Sequence, residues 1–278
     1  MVNKHTLGQL LSNTGDLCLR RRARLMMEEI DPQPSDKILD VGCGDGFYEF
    51  LLTQMTQFKN KIIGIDLQPS SIAAAKKLAP HKSVQYVVGD ITKYPFTAAS
   101  FDKIICSEVV EHFDDDLAGL KSMHRLLKKG GSLFITVPHL NYPFFWDPVN
   151  WVLQHFFGTH IKSGFWAGIW NMHDRLYTVD TITRVVKKAG FTIDKTACLT
   201  HYSLPFNHTF VYVGFRLRTM PQLSAGIKNS MSKFQPQSAK KSWFSYVMSF
   251  ITWLDTRNDR DFGPNDSTVC IYVKATKR

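Results

Sequence analysis

The chain has 278 residues, 44% of them hydrophobic and 13% aromatic, and 34 Lys and Arg against 24 Asp and Glu give a formal net charge of +10. That length and apolar content support a full core in one large domain or two small ones. Five cysteines, Cys18, Cys43, Cys106, Cys198 and Cys270, are odd in number, widely spaced and without a C-x-x-C pair, so they suggest neither a disulfide frame nor a zinc site. No stretch reaches the roughly 18 uninterrupted apolar residues of a spanning helix, and Met1 to Asp16 lacks the apolar run of a secretory signal. The expectation is a cytoplasmic protein, with peripheral membrane association as the further option.

In chain order, Leu17 to Ile30 reads as a helix carrying Arg20, Arg21, Arg22 and Arg24, stopped by Pro32 and Pro34. A run of arginines on a helix reads as a solvated face. The apolar Lys37-Ile38-Leu39 then enters Asp40-Val41-Gly42-Cys43-Gly44-Asp45-Gly46 and a helix from Phe47, a buried strand that turns on glycines so that peptide N–H groups and the positive helix end face a ligand. A dinucleotide turn, G-x-G-x-x-G, needs a third glycine where Phe47 stands, which argues against a nicotinamide oxidoreductase. Ile62 to Asp66 is a second short strand, ending in an acid about 20 residues past the glycines, the spacing that suits a ribose.

A third strand, Val84 to Val88, runs into Gly89-Asp90-Ile91. A fourth, Phe101 to Cys106, ends in Ser107-Glu108-Val109-Val110-Glu111-His112, and a fifth, Gly131 to His139, follows a helix and turn at His124 to Gly130. Residues 140–175 are too apolar for an idle surface loop: Tyr142, Phe144, Phe145, Trp146, Trp151, Phe156, Phe157, Phe165, Trp166 and Trp170 fall within them. We read this insertion as a hydrophobic lid over an acceptor pocket. A helix from Thr178 to Ala189 leads to a sixth strand at Phe191 to Cys198, and Thr268 to Lys274 is the last.

Between Thr196 and Leu254 stand six cations, Arg216, Arg218, Lys228, Lys233, Lys240 and Lys241, and no acid. Within this stretch Trp243, Val247, Phe250, Ile251 and Leu254 recur at helical spacing opposite Ser242, Ser245, Ser249 and Thr252. Such a helix either lies in a membrane interface or packs on the protein's own core. Basic residues interleaved with aromatics also suit nucleic acid.

The run D-x-G-x-G-x-G, with acids at the following strand ends, resembles motif I and its successors in class I S-adenosylmethionine-dependent methyltransferases, of the ubiquinone-biosynthesis-like type 11 group. The resemblance covers about residues 36–198 and the final strand. It implies an α/β, Rossmann-like fold over the single domain 1–278: a seven-stranded sheet, its last strand antiparallel, with helices on both faces and aromatic-rich insertions. It further implies that Asp40, Gly42, Cys43, Gly44, Gly46 and Ser107 line the cofactor site. Asp66 would accept from the ribose hydroxyls, Leu67 pack on the adenine, Asp90 read its amino group and Ile91 close the base slot. The N-terminal helix would cover the cofactor as a lid.

Methyl transfer is an in-line displacement at an activated sulfonium carbon, so the protein mainly aligns the nucleophile and excludes water. A hydroxyl acceptor must also lose a proton, work suited to histidine. His139 is the first candidate base, followed by His112 and His173, with Glu108 and Glu111 as orienting partners. The expected activity is O-methylation of an apolar, lipid-linked or other small-molecule acceptor, with an anionic membrane surface as a candidate partner. Ser107-Glu108 stands where enzymes acting on amino groups of bases carry an Asn/Asp-Pro-Pro run, which disfavours nucleic acid. Two alternatives stay open: a non-catalytic cofactor-binding protein, and a metal-assisted RNA 2′-O-methyltransferase. The latter is raised because Glu108-x-x-Glu111-His112 is similar to the metal-binding run of such enzymes. On a helix these three share a face that His173 or His139 would complete.

Overall fold

The computed structural model describes residues 3–164, 166–170, 173–204, 233–234 and 243–278. Readings on residues 205–232 and 235–242, and on the side chains of Trp243, Ser245 and Val247, lie outside the described residues.

Seven strands form one sheet: β1 (Ile38–Val41), β2 (Ile62–Asp66), β3 (Val84–Val88), β4 (Phe101–Ser107), β5 (Leu127–Pro138), β6 (Thr192–Leu199) and β7 (Cys270–Thr276). Their order is β3-β2-β1-β4-β5-β7-β6, and β7 is antiparallel to both its neighbours. The helices are α1 (Lys4–Leu11), α2 (Leu17–Ile30), α3 (Phe47–Met55), α4 (Pro69–Leu78), α5 (Asp116–Leu126), α6 (Pro148–Phe157), α7 (Val179–Lys188) and α8 (Trp243–Asp255).

Alternation along the strands divides the core between two faces. On one, Ile104, Cys106, Leu133, Ile135, Ile271 and Val273 pack against α5 and α7. On the other, Ile105, Phe134 and Tyr272 meet α1, α2 and α3. A third cluster, Cys18, Tyr142, Trp146, Ile169, Trp170, Val269 and Cys270, roots the aromatic insertion to the strand ends.

Three elements differ from the sequence reading. α1 is an added helix, capped by the Asn3 side chain and burying Leu7, Leu10 and Leu11. β5 starts at Leu127 rather than after Gly130, because Leu127 pairs with Phe101 and the bulge that follows is absorbed where Gly130 takes φ +78°. The arginines of α2 are not a solvated face. Arg20 is buried and bonds Thr252, Arg22 pairs with Glu108, and Arg21 is enclosed by Asp255, the Asn258 carbonyl and Asp259. α2 therefore ties the C-terminal end of α8 to the sheet.

Candidate functional site

The turn after β1 owes its shape to its glycines. Gly42, Gly44 and Gly46 all have positive φ. A Cβ on Gly42 would stand 2.3 Å from a Val109 methyl and one on Gly46 would stand 2.6 Å from the Tyr86 hydroxyl, whereas one on Gly44 would point into open space. Two glycines thus let the protein close on itself, and the middle one faces outward, where a ligand can approach the backbone.

Asp66 holds this turn: its carboxylate accepts from Gly44 N–H at 3.0 Å and from Gln68 N–H at 2.8 Å. Next to it Leu67 is 63% exposed, leaving its side chain free for a ligand to pack on. Asp90 is engaged by its own turn, accepting from the Thr92 N–H and hydroxyl and pairing with Lys93, and the Thr92 hydroxyl holds its carboxyl below the usual range. Ile91 is buried within the main core.

Asp40 lies beneath the turn, buried with Glu49, which nestles over Gly64 of β2. Burial pushes both carboxyls up, Glu49 to about 8, and each raises the cost of charging the other or is reached by it through a hydrogen bond. Asp40 therefore supports the turn from below, while Cys43 is buried in it.

At the end of β4, Ser107 bonds the Tyr48 hydroxyl at 3.0 Å and the Thr136 hydroxyl at 2.8 Å, joining α3, β4 and β5. Glu108 follows at φ +56°, a left-handed conformation that costs a non-glycine residue about 1–3 kcal/mol and that clusters at functional sites. Its N–H donates to the Thr136 carbonyl, and its carboxylate receives Arg22 of α2 at 3.1 Å.

The three candidate histidines separate into two places. His112 and His173 come together, ring centroids 5.3 Å apart, on either side of the buried Glu111. Burial, reinforced by Glu108, pushes the Glu111 carboxyl well up. His139 lies beyond β5, bridged to Tyr177 and bonded through Nδ1 to the Thr268 hydroxyl at 2.9 Å. It is 1% exposed, and burial lowers its pKa to about 4, so the ring is neutral at physiological pH.

Two residues beyond His139 and one before Thr268, at Asn141 and Ser267, the chain lines a cleft of about 820 Å³ walled by Phe144, Phe145, Trp151, Tyr202, Leu254 and Phe262. It is built by the aromatic insertion, the end of β6, the end of α8 and the segment before β7, all beyond the carboxyl ends of the parallel strands. Open α/β sheets bind ligands on that edge.

A buried polar hub shapes the insertion, and the apolar reading of the sequence missed it. Asp147 accepts from Asn150 N–H, from the Asn150 amide at 2.8 Å and from Ile169 N–H, while Asn150 itself donates to the Trp166 carbonyl and accepts from Ile161 N–H. The signal available in the sequence was Asp147-Pro148, an N-cap followed by proline at the first helical position.

Residues 39–135 match the methyltransferase domain family. The chain is 26% identical over 226 residues to demethylmenaquinone methyltransferase of Chlorobaculum tepidum, covering 76% of this chain and 85% of that one. It is 35% identical over 106 residues to the ubiquinone biosynthesis O-methyltransferase of Xanthomonas campestris, which covers 37% and 43% of the two chains. Among solved structures it resembles phosphoethanolamine N-methyltransferase 2 of Haemonchus contortus in complex with S-adenosyl-L-methionine. The TM-score is 0.52 at 20% identity, over 92% of this chain and 52% of that one.

Proposed function

We propose that this chain, an S-adenosylmethionine-dependent methyltransferase, methylates a hydroxyl of an apolar, quinone-like or otherwise lipid-like small molecule. The aromatic-walled cleft at the carboxyl edge of the sheet carries this reading, because a wall of five aromatic rings and a leucine binds flat apolar groups and excludes water. The two relatives named for quinone pathways support it.

On this reading the glycine turn and Asp66 position the cofactor, and the cleft brings the acceptor to the ends of β4 and β5. The acceptor O–H breaks, its proton passing to a neutral histidine. The oxygen takes the methyl as the sulfonium C–S bond breaks, and S-adenosylhomocysteine leaves. His139, within two residues of the cleft-lining Asn141 and held in one orientation by Thr268, is the proposed base. Burial, which lowers its pKa to about 4, keeps the ring neutral at physiological pH and also makes it a weak base, below the near-neutral value at which general-base catalysis is most efficient.

The test is incubation with methyl-labelled cofactor and separate lipid, small-molecule, RNA and protein fractions. Label is expected in the organic-soluble fraction. Trp151→Ala should raise the KM for the acceptor while leaving affinity for S-adenosylhomocysteine unchanged. Label confined to RNA or protein would overturn the acceptor assignment.

A further inference from the structure

The cleft is not apolar throughout, and its ring contacts fall into two groups. In the insertion, Phe144 meets Phe145 and Trp151, and His155 stacks on Trp151 with ring centroids 3.9 Å apart. In the segments after β6 and before β7, His201 packs on both Tyr202 and Phe262. The Arg260 guanidinium lies over the same two rings, 5.3 Å from the centroid of Tyr202 and 4.9 Å from that of Phe262. The first group is a surface for flat apolar rings, and the second brings a positive charge to the same cleft.

Among the described residues on the lining Arg260 is the single permanent cation, and no described carboxylate pairs with it. Asp259, beside it in the chain, is taken by Arg21. Asp266, the one acid on the described lining, turns its carboxylate back to the Gly263 N–H at 2.8 Å. One guanidinium N–H reaches the Tyr202 hydroxyl at 3.3 Å, and the others meet no acceptor among the described residues. An arginine restrained by aromatic rings, with donors to spare, is suited to a carboxylate or phosphate, which it binds through two parallel hydrogen bonds. His201 does not duplicate this role: it donates its Nδ1–H to the Ser267 carbonyl at 2.6 Å, and the neutral ring then has only an acceptor nitrogen left. Ser203, on the same lining, has a buried hydroxyl without a hydrogen-bond partner, a donor that an oxyanion would satisfy.

Resting on the acceptor reading above, we propose that the acceptor carries an anionic group, a carboxylate or a phosphate ester, beside its apolar body. Arg260 binds this group with the Ser203 hydroxyl as a second donor, while the rings of the insertion hold the body. The acceptor is thus amphipathic, and Arg260 selects it over uncharged molecules of the same shape, which make no use of the guanidinium.

The test measures equilibrium binding to the full chain by ligand fluorescence, without cofactor, for three probes that share one ring system: hydroxynaphthoate, naphthyl phosphate and naphthol. At least one of the anions should bind more tightly than naphthol by roughly tenfold or more, and the tighter of the two tells carboxylate from phosphate. Arg260→Gln should bring that anion down to the affinity of naphthol, Arg260→Lys should restore part of the difference, and Ser203→Ala should remove a smaller share. Arg260 is exposed, so its replacement is compatible with folding, and in the unmodified chain the preference should also shrink as salt is raised. Trp151→Ala, by contrast, should weaken all three probes alike. Equal affinities for charged and uncharged probes, no binding of either anion, or a preference untouched by Arg260→Gln would each overturn the proposal. A chain that binds the anions through Arg260 but labels no lipid or small molecule keeps this site and loses the acceptor reading. One that labels lipid without any preference for the anions loses this inference alone.

Discussion

At the scale of single residues, the glycine turn carries two carboxylates with opposite tasks. Asp66 accepts two backbone N–H groups and so shapes the turn proposed to meet the cofactor. Asp66→Ala should weaken S-adenosylhomocysteine binding by about 1–3 kcal/mol by calorimetry, the range for leaving hydrogen-bonding groups unpaired. Unchanged affinity would remove Asp66 from the site. Glu49, by contrast, is held protonated beneath the turn. Its pKa is about 8 in the fold against an ordinary 4.5, so between those values the folded chain binds more protons than the unfolded one. Stability from this group is complete below pH 4.5 and is lost as pH rises towards 8. Glu49→Gln should flatten that limb of the stability profile in denaturant titrations, and an unaltered slope would show the pair to be irrelevant. The glycines, Asp66 and Leu67 were legible because spacing after a strand reports backbone geometry. Glu49 was not, since a glutamate in a helix looks the same whether it faces water or, as here, packs over a glycine of the next strand.

At the scale of elements, α2 is a clamp. Arg21 lies across the C-terminal end of α8, where unpaired carbonyls carry partial negative charge, and it also pairs with the buried Asp255. Breaking such a pair strands a charge in the interior. Arg21→Ala should therefore lower stability by about 3 kcal/mol and raise amide exchange across α8 more than across the sheet. Asp255→Asn in the Arg21→Ala background should recover part of the loss. Equal exchange in α8 with and without Arg21 would refute the clamp. Helix α2 itself was readable from its apolar period and its prolines, but the fate of its arginines was not. The acids of Arg21 lie more than 230 positions away and that of Arg22, Glu108, lies 86 away, and only the packed chain brings them together. His112 and His173, which the sequence offered both as separate bases and, with Glu111, as one ligand set, are brought by the fold onto one carboxylate.

At the scale of the whole molecule, exposed apolar area is concentrated on one side. Among the described residues, the large exposed hydrophobics apart from Leu67 and Val88 lie at 144–166, at Tyr202 or at 246–253, the segments that build or flank the cleft. On α6, Phe156 and Phe157 are 73% and 71% exposed, and on α8 Tyr246, Phe250 and Trp253 form one stripe, with Arg257 stacked on Trp253. No described helix is long and apolar enough to cross a membrane. The helical spacing of the apolar residues of α8 was legible, but its outward face was not: Phe250 is half exposed, while Leu254 turns to the cleft wall. The described part of the basic stretch packs inward as well, Lys233 pairing with Asp45 and Phe234 meeting Phe47. Lys233 thus faces inward, and we propose that the exposed aromatic rings of α6 and α8 are the part of this face that enters a bilayer, drawing an apolar acceptor from lipid into the cleft. Sedimentation with vesicles should pellet the protein at low salt, and much of that binding should survive high salt because apolar burial is not screened. Phe156→Ser with Phe157→Ser should abolish pelleting without lowering thermal stability, since both rings are more than 70% exposed in the free chain. A protein that stays in the supernatant at low salt would refute interfacial docking and leave the cleft to load its acceptor from solution.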